Sequence, residues 1–302
     1  MIDPFRGIKR FGRKLLSGNQ EILLELGVLR VDLEKARLAL GRLERELASS
    51  SPSDFPREFQ TFSQFGEDGI ISWILGRVPI ARRFFVEFGV EDYRESNTRF
   101  LLMSGGGWSG LVMDGSKENL DQLRGRPEFW RNHLHAAAAF ITRENINQLL
   151  TDYDAAGDIG LLSIDVDGND YWIWDAIEVC SPRIVICEYN ALWGAERSVA
   201  VPYKPDFNLF DAHFSGLYWG ASLRALTRLG RKKGYRLVAV NGAGHNVFFV
   251  RNDIASGLPE LAPESAWRPP QFRTSRNKEG QLTFLSWVEA AEQIADMPVE
   301  NV

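Results

Sequence analysis

Carboxylates crowd the end of an apolar run at residues 161–170, LLSIDVDGND. Aliphatic residues running into Asp-x-Asp-Gly read as a buried parallel strand that stops at a sheet edge. In open α/β sheets, ligands sit in the crevice beyond the strand C-termini. Asp165, Asp167 and Asp170 are therefore expected to face a ligand. Clustered carboxylates repel one another and lose hydration unless something bound offsets both. The same residues also suit a turn at Asp167 and Gly168, with Asn169 or Asp170 capping the next helix.

Similar strand ends recur along the chain. FFVEFGVED at 84–92 places Glu87 and Gly89 after an apolar strand. An acid there suits a ligand ammonium, and Gly89 lets the backbone approach a ligand closely. Glu91 and Tyr93 stand where a phosphate-binding loop would carry further glycines, and Glu91 and Asp92 repel phosphates. A cationic, phosphate-free ligand is expected. LVMDGS ends in Asp114, an acid suited either to two ribose hydroxyls or to an Asx-turn with Gly115. HAAAAFIT ends in Ala139, Phe140 and Ile141, small and apolar residues that could flank a flat adenine. CEYNALWG brings Glu188 and Asn190 beside the acidic cluster. Asp167, Glu188 and Asn190 offer hard oxygen ligands of the kind magnesium or manganese prefers. Asp167 is the first candidate general base, with His213 and His245 behind it. His213 lies in an aromatic loop, FDAHFSGLYWG, and His245 in the turn NGAGHN. His133 and His135 flank a strand and read as structural.

Positioning these residues requires an alternating pattern, and the chain has one from residue 57 onward. Strands are expected at 83–88, 110–114, 134–141, 159–165, 183–188, 235–240 and 247–250. Helices are expected at 67–75, 97–103, 117–123, 143–150, 170–179 and 220–233. Strands alternating with helices predict an α/β fold with a doubly wound parallel sheet. The short last connection requires the final two strands to be antiparallel. Residues 254–302 add Pro-rich loops and an apparent helix at 282–295.

Before residue 57 the pattern differs. Phe5, Ile8, Phe11 and Leu15 oppose Arg6, Lys9, Arg10, Arg13 and Lys14, a basic amphipathic segment over 1–18 suited to an anionic membrane surface or to a solvated tail. Ile22, Leu26, Leu29, Leu33, Ala36, Leu40, Leu43 and Leu47 are spaced alternately four and three apart. That heptad seam predicts a coiled-coil oligomerisation helix over 19–48, or else a single helix packed on the main domain. SSSPSDFP at 49–56 is its linker.

The formal net charge of −5 argues against nucleic acid as a partner. Cys180 and Cys187 are the only cysteines and read as buried free thiols. There is no run long enough for a membrane span and no secretory signal, so a reducing, cytoplasmic setting is expected.

Taken in order, SQFGEDGI, FVEFGVEDYRESNTRFLL, GLVMDGSKENL, SIDVDGNDYWIWDAI, EYNALWG and GHNVFFV resemble the FkbM-type S-adenosylmethionine-dependent methyltransferases, over about residues 62–250. The resemblance implies a Rossmann-like methyltransferase sheet of seven strands with an antiparallel last strand, over a domain at 57–253, with 254–302 as a C-terminal extension. It implies S-adenosylmethionine as cofactor, with Gln64, Glu87, Gly89, Asn97, Asp114, Ala139, Phe140 and Asp165 in its site. Glu87 and Gly89 match the methionine end, and Asp114 the ribose acid. The implied reaction is O-methylation of a sugar hydroxyl on a glycan or glycolipid intermediate. Two other classes compete. One is a metal-dependent nucleotide-sugar glycosyltransferase using Asp165-Val-Asp167. The other is a non-catalytic coiled-coil scaffold.

Overall fold

The computed structural model describes the backbone of residues 6–50 and 55–302, and the side chains of 21–50 and 55–302 other than Pro127. Strand β1, Phe84–Phe88, is buried at all five positions, as a strand covered on both faces must be. Successive side chains point to opposite faces, so Phe84, Val86 and Phe88 enter one core and Phe85 the other. The remaining main strands are β2 (Ser109–Asp114), β3 (Leu134–Ala138), β4 (Gly157–Ile164), β5 (Cys180–Glu188), β6 (Tyr235–Val240) and β7 (Asn246–Arg251). They form one seven-stranded sheet in the order β3-β2-β1-β4-β5-β7-β6. β1 to β5 run parallel, and β7 runs against both of its neighbours. This is the doubly wound Rossmann-like methyltransferase sheet expected from the sequence.

Helices cover both faces. α2 (Glu67–Leu75), α3 (Arg99–Met103), α4 (Lys117–Arg124) and α5 (Pro127–Arg131) pack on the face carrying Trp73, Phe85 and Phe248. α6 (Ile146–Asp152), α7 (Asp170–Ala176) and α8 (Leu223–Lys232) pack on the face carrying Trp174, Leu226 and Phe249. Cys180 and Cys187 are free and buried.

Several expected boundaries are corrected. β3 stops at Ala138, so Ala139 to Ile141 lie in the following loop. The expected helix at 282–295 splits. Leu282–Phe284 pairs antiparallel with Thr274–Arg276, and a helix α9 runs over Trp287–Gln293. Ser286 and Glu289 form a reciprocal capping box that fixes this start.

The N-terminal helix α1 is one unbroken run, Arg6–Ser50, with no division between a basic segment and a coil. Its second half belongs to the main domain. Ala48 is fully buried, and Gly41 sits where a Cβ would collide with Thr61 and Phe100. Arg37 donates to the Thr61 carbonyl, Arg45 donates to Ser104 Oγ at 2.9 Å, and Glu34 pairs with Arg99 at 2.6 Å. The described part of the helix over 19–48 therefore packs on the main domain through its second half. Small residues at 41 and 48 let the helix approach closely, and that signal lies beside the leucine seam in the sequence. Residues 51–54 of the linker, and the side chains that carry the membrane-surface expectation for 1–18, lie outside the described residues. Among the described residues no helix is long and apolar enough to cross a membrane.

Candidate active site

The C-terminal edge of the sheet gathers the strand ends. Glu87, in β1, is buried, and its carboxylate is taken up by the loop that follows. Oε1 accepts the Asn97 N–H at 2.8 Å; Oε2 accepts from Ser96 Oγ at 2.6 Å, from the Thr98 N–H at 3.1 Å and from Thr98 Oγ1. Burial pushes its carboxyl up, and these donors partly offset that. Glu87 shapes the loop, leaving no oxygen of its carboxylate without a donor from the protein itself. Oε1, with a single donor, is the oxygen on which the expected ligand ammonium would fall. Asn97 braces the same loop, donating from Nδ2 to Ser163 Oγ on β4 at 3.1 Å.

Gly89 has φ +68°, and a Cβ there would meet the Asp165 carbonyl at 1.7 Å. Its smallness lets the end of β1 approach the end of β4. Glu91 and Tyr93, which replace the glycines of a phosphate loop, adopt φ of 46° and 62°. The loop thus takes a glycine-like course without glycine. Such non-glycine backbone carries strain that the surroundings must hold. Tyr93 is held by burial and by its hydroxyl on Thr98 Oγ1 at 3.0 Å; Glu91 by its N–H on Asp114 Oδ2 at 2.7 Å.

Asp114 ends β2. Besides Glu91 it accepts the Ser116 N–H at 2.7 Å, so it is partly an Asx-turn, with lone pairs left for a ligand. Phe140 is exposed, and its ring lies against Gly115. Ala139 is tied to the same place by its N–H on the Asp114 carbonyl at 3.0 Å. An acid beside an open aromatic face is what a ribose and its attached base need. Gln64 is exposed in the loop before α2. That loop is folded by Asp68, whose Oδ2 accepts the N–H groups of Thr61, Phe62 and Ser63.

The ends of β4 and β5 differ. One oxygen from each of Asp165, Asp167 and Glu188 lies within 4.8 Å of the others. Asp165 is pushed well up by burial, then by Glu188 and Asp170; Glu188 is pushed well up by burial, then by Asp170 and Asp167. Asp167 still reaches solvent, but it too is raised, by burial and then by Asp114. Its φ of 54° makes it a third left-handed residue at this edge. Asp170 does not join them. It is buried, and it accepts the Val166 and Gly168 N–H groups at 2.9 and 3.1 Å, closing the turn. Asn190 is corrected as well. Its Oδ1 caps Leu192 N–H and its Nδ2 donates to the carbonyls of Leu217 and Trp219, so it is spent on structure. Asp165 takes its place in the only three-acid group among the described residues that could hold a cation.

A pocket of about 150 Å³ opens beside the cluster, with Asp167, Glu188, His245, Trp219, Phe272 and Trp287 in its wall. His245 Nδ1 faces Glu188 Oε1 at 3.5 Å, its ring stacks on Phe65 at 5.2 Å, and its Nε2 has no partner. Burial lowers its pKa, which favours the neutral ring, and Nε2 is open. His213 is elsewhere. Its Nδ1 bonds Ser215 Oγ at 2.7 Å, and it lies outside the pocket wall. Phe272 and Trp287 come from the C-terminal extension, which therefore completes the pocket. Nothing local in the sequence marks them, because the contact is between distant segments.

No protein-family model matches the chain. No curated protein matches it either. Among solved structures, the chain is similar to the O-methyltransferase from Bacillus cereus in complex with SAH, at 12% identity over 70% of this chain and 81% of that one, with a TM-score of 0.39. It is similar to TehB from Haemophilus influenzae at 9% identity over 57% and 58%, TM-score 0.34. It is similar to an S-adenosylmethionine-dependent methyltransferase from Clostridium acetobutylicum at 8% identity over 56% and 83%, TM-score 0.34. Likenesses this distant add nothing to the strand order, on which the fold stands.

Proposed function

We propose that this chain is an S-adenosylmethionine-dependent O-methyltransferase of the FkbM type, acting on a sugar hydroxyl of a glycan or glycolipid intermediate. The observation that carries the reading is the group Asp165, Asp167 and Glu188, within 4.8 Å of one another at the crevice edge of a methyltransferase sheet. Three carboxylates so close need a positive charge among them or share protons. S-adenosylmethionine, when bound, supplies that charge as a sulfonium carrying the methyl group. Asp114 offers carboxylate oxygens to ribose hydroxyls, and Phe140 offers its exposed face to the base. Trp219, Phe272 and Trp287 give a sugar ring surfaces to stack on. Asp167, its pKa raised by burial and by Asp114, would take the proton that the sugar hydroxyl gives up on accepting the cofactor's methyl group, with S-adenosylhomocysteine as the leaving thioether. Most of the remaining catalysis is in-line placement.

The same three acids would hold magnesium or manganese through hard oxygen ligands, and the ion would lower the pKa of the acceptor hydroxyl. Residues 1–18 add a proposed contact with an anionic membrane surface, where lipid-linked glycans would be met.

Incubation with methyl-labelled S-adenosylmethionine and a panel of sugar nucleotides and lipid-linked sugars tests the reading, with and without EDTA. Label in a sugar O-methyl ether is the expected result. Transfer of sugar from a nucleotide, with no methyl transfer, would place the chain among glycosyltransferases instead.

A further inference from the structure

Helix α1 carries two stripes, and its own domain covers one of them. Glu34, Leu38, Gly41, Arg45 and Ala48 turn toward the domain. The leucine seam does not. Ile22, Leu26, Leu29, Leu33, Leu40, Leu43 and Leu47 are each 54–64% exposed with the domain in place. Folding of a single chain leaves this strip in water. A contiguous apolar strip of that length on a helix marks an interaction surface.

The charges beside the seam say what covers it. With Leu26, Leu33, Leu40 and Leu47 at a and Ile22, Leu29, Ala36 and Leu43 at d, the g positions are Glu25, Asp32, Ala39 and Glu46. The e positions are Leu23, Arg30, Arg37 and Glu44. In a parallel pair, each g residue faces the e residue of the next heptad on the other helix. Glu25 then meets Arg30, and Asp32 meets Arg37, twice over by symmetry. In an antiparallel pair g faces g and e faces e, which over the full seam sets Glu25 against Glu46 and Arg30 against Arg37 and leaves Asp32 opposite Ala39. Arg37 also donates to the Thr61 carbonyl, and a guanidinium has five N–H groups to share. The buried and half-buried domain contacts over 34–48 centre on the b and f positions, with Arg37 and Glu44 of the e row bonding the domain beside them. The a and d seam stays open along its length, joined over 22–31 by exposed Leu23, Leu24, Val28 and Val31.

From these observations we infer that the seam is covered by α1 of a second copy of this chain, in parallel and in register. The inference stands on α1 alone and does not depend on the methyltransferase reading.

Full-length protein is expected to sediment at twice the chain mass. Leu26→Cys places a thiol on the seam, where two copies meet only in a parallel, in-register pair. Mild oxidation should convert most of that variant to a cross-linked dimer, while the wild type, whose two cysteines are buried, stays uncross-linked. Arg30→Glu should raise the dimer dissociation constant at least tenfold, and adding Glu25→Lys should restore it. Circular dichroism melts of each variant show that the domain remains folded. A monomeric wild type, a mass of three or more chains, or an intact dimer in which Leu26→Cys fails to cross-link would each overturn the inference.

Discussion

The end of β1 and the ends of β4 and β5 carry the same kind of residue, an acid just past an apolar run. At β1 the chain brings donors to the acid. Ser96, Asn97 and Thr98 surround Glu87, and its charge is spent in folding the loop. At β4 and β5 the chain brings more acids. Asp165, Asp167 and Glu188 meet one another, and Glu188 faces Nδ1 of His245. The difference separates a structural acid from a chemical one. A buried carboxylate supplied with donors by the protein braces the scaffold, whereas carboxylates left to face one another share protons or take up a positive charge.

Substitutions at the two places should therefore act on different quantities. The largest effect is expected for Asp167→Asn. Turnover should fall by about 10²–10⁴-fold while S-adenosylhomocysteine affinity stays within a few-fold, because a general base is lost and a crowded charge is removed. Unchanged turnover would erase the distinction. Next comes Glu87→Gln, where an amide replaces the oxygen that accepts from Ser96 and Thr98. Urea unfolding should show a loss of about 3–5 kcal/mol, since several buried donors lose their acceptor at about 1–3 kcal/mol each. A near-neutral result would make Glu87 free after all.

Asp68 sharpens the comparison, because it has three backbone donors and is still raised to about 6, burial outweighing them. Its unfolded value is 3.8, so the folded state holds the proton more tightly. The stability this adds is complete below about pH 4 and is lost as the pH rises through about 6, amounting to about 3 kcal/mol. Asp68→Asn should flatten that part of the stability profile relative to wild type, read by thermal melts between pH 4 and 7. The smallest effect is expected at His213. It is held by Ser215 outside the pocket, so His213→Ala should keep turnover within about threefold. His245→Ala should cost more.

Much of the sheet was legible from the sequence, because the strands are short and apolar and three of them, β1, β2 and β4, run into Gly or Asp. Strand β6 and helix α2 have the expected ends. What failed was the meaning of polar residues at strand ends. Asn190 as a ligand and as a cap look alike in a sequence, and only the carbonyls of Leu217 and Trp219 decide between them. Glu91 and Tyr93 seemed to spoil the cofactor loop, yet they adopt the positive φ that glycine would have supplied. The C-terminal half of the pocket wall was illegible because Phe272 and Trp287 reach the site through long-range packing that no local pattern records.

The central claim is that this crevice binds S-adenosylmethionine through Asp114 and the strand ends beside it. Calorimetric titration of the full-length protein with S-adenosylhomocysteine tests it most directly. The account predicts one site per chain at micromolar strength, weakened by about 2–4 kcal/mol in Asp114→Ala through loss of charge-assisted hydrogen bonds. No heat with the folded wild type, or equal binding by wild type and Asp114→Ala, would contradict it.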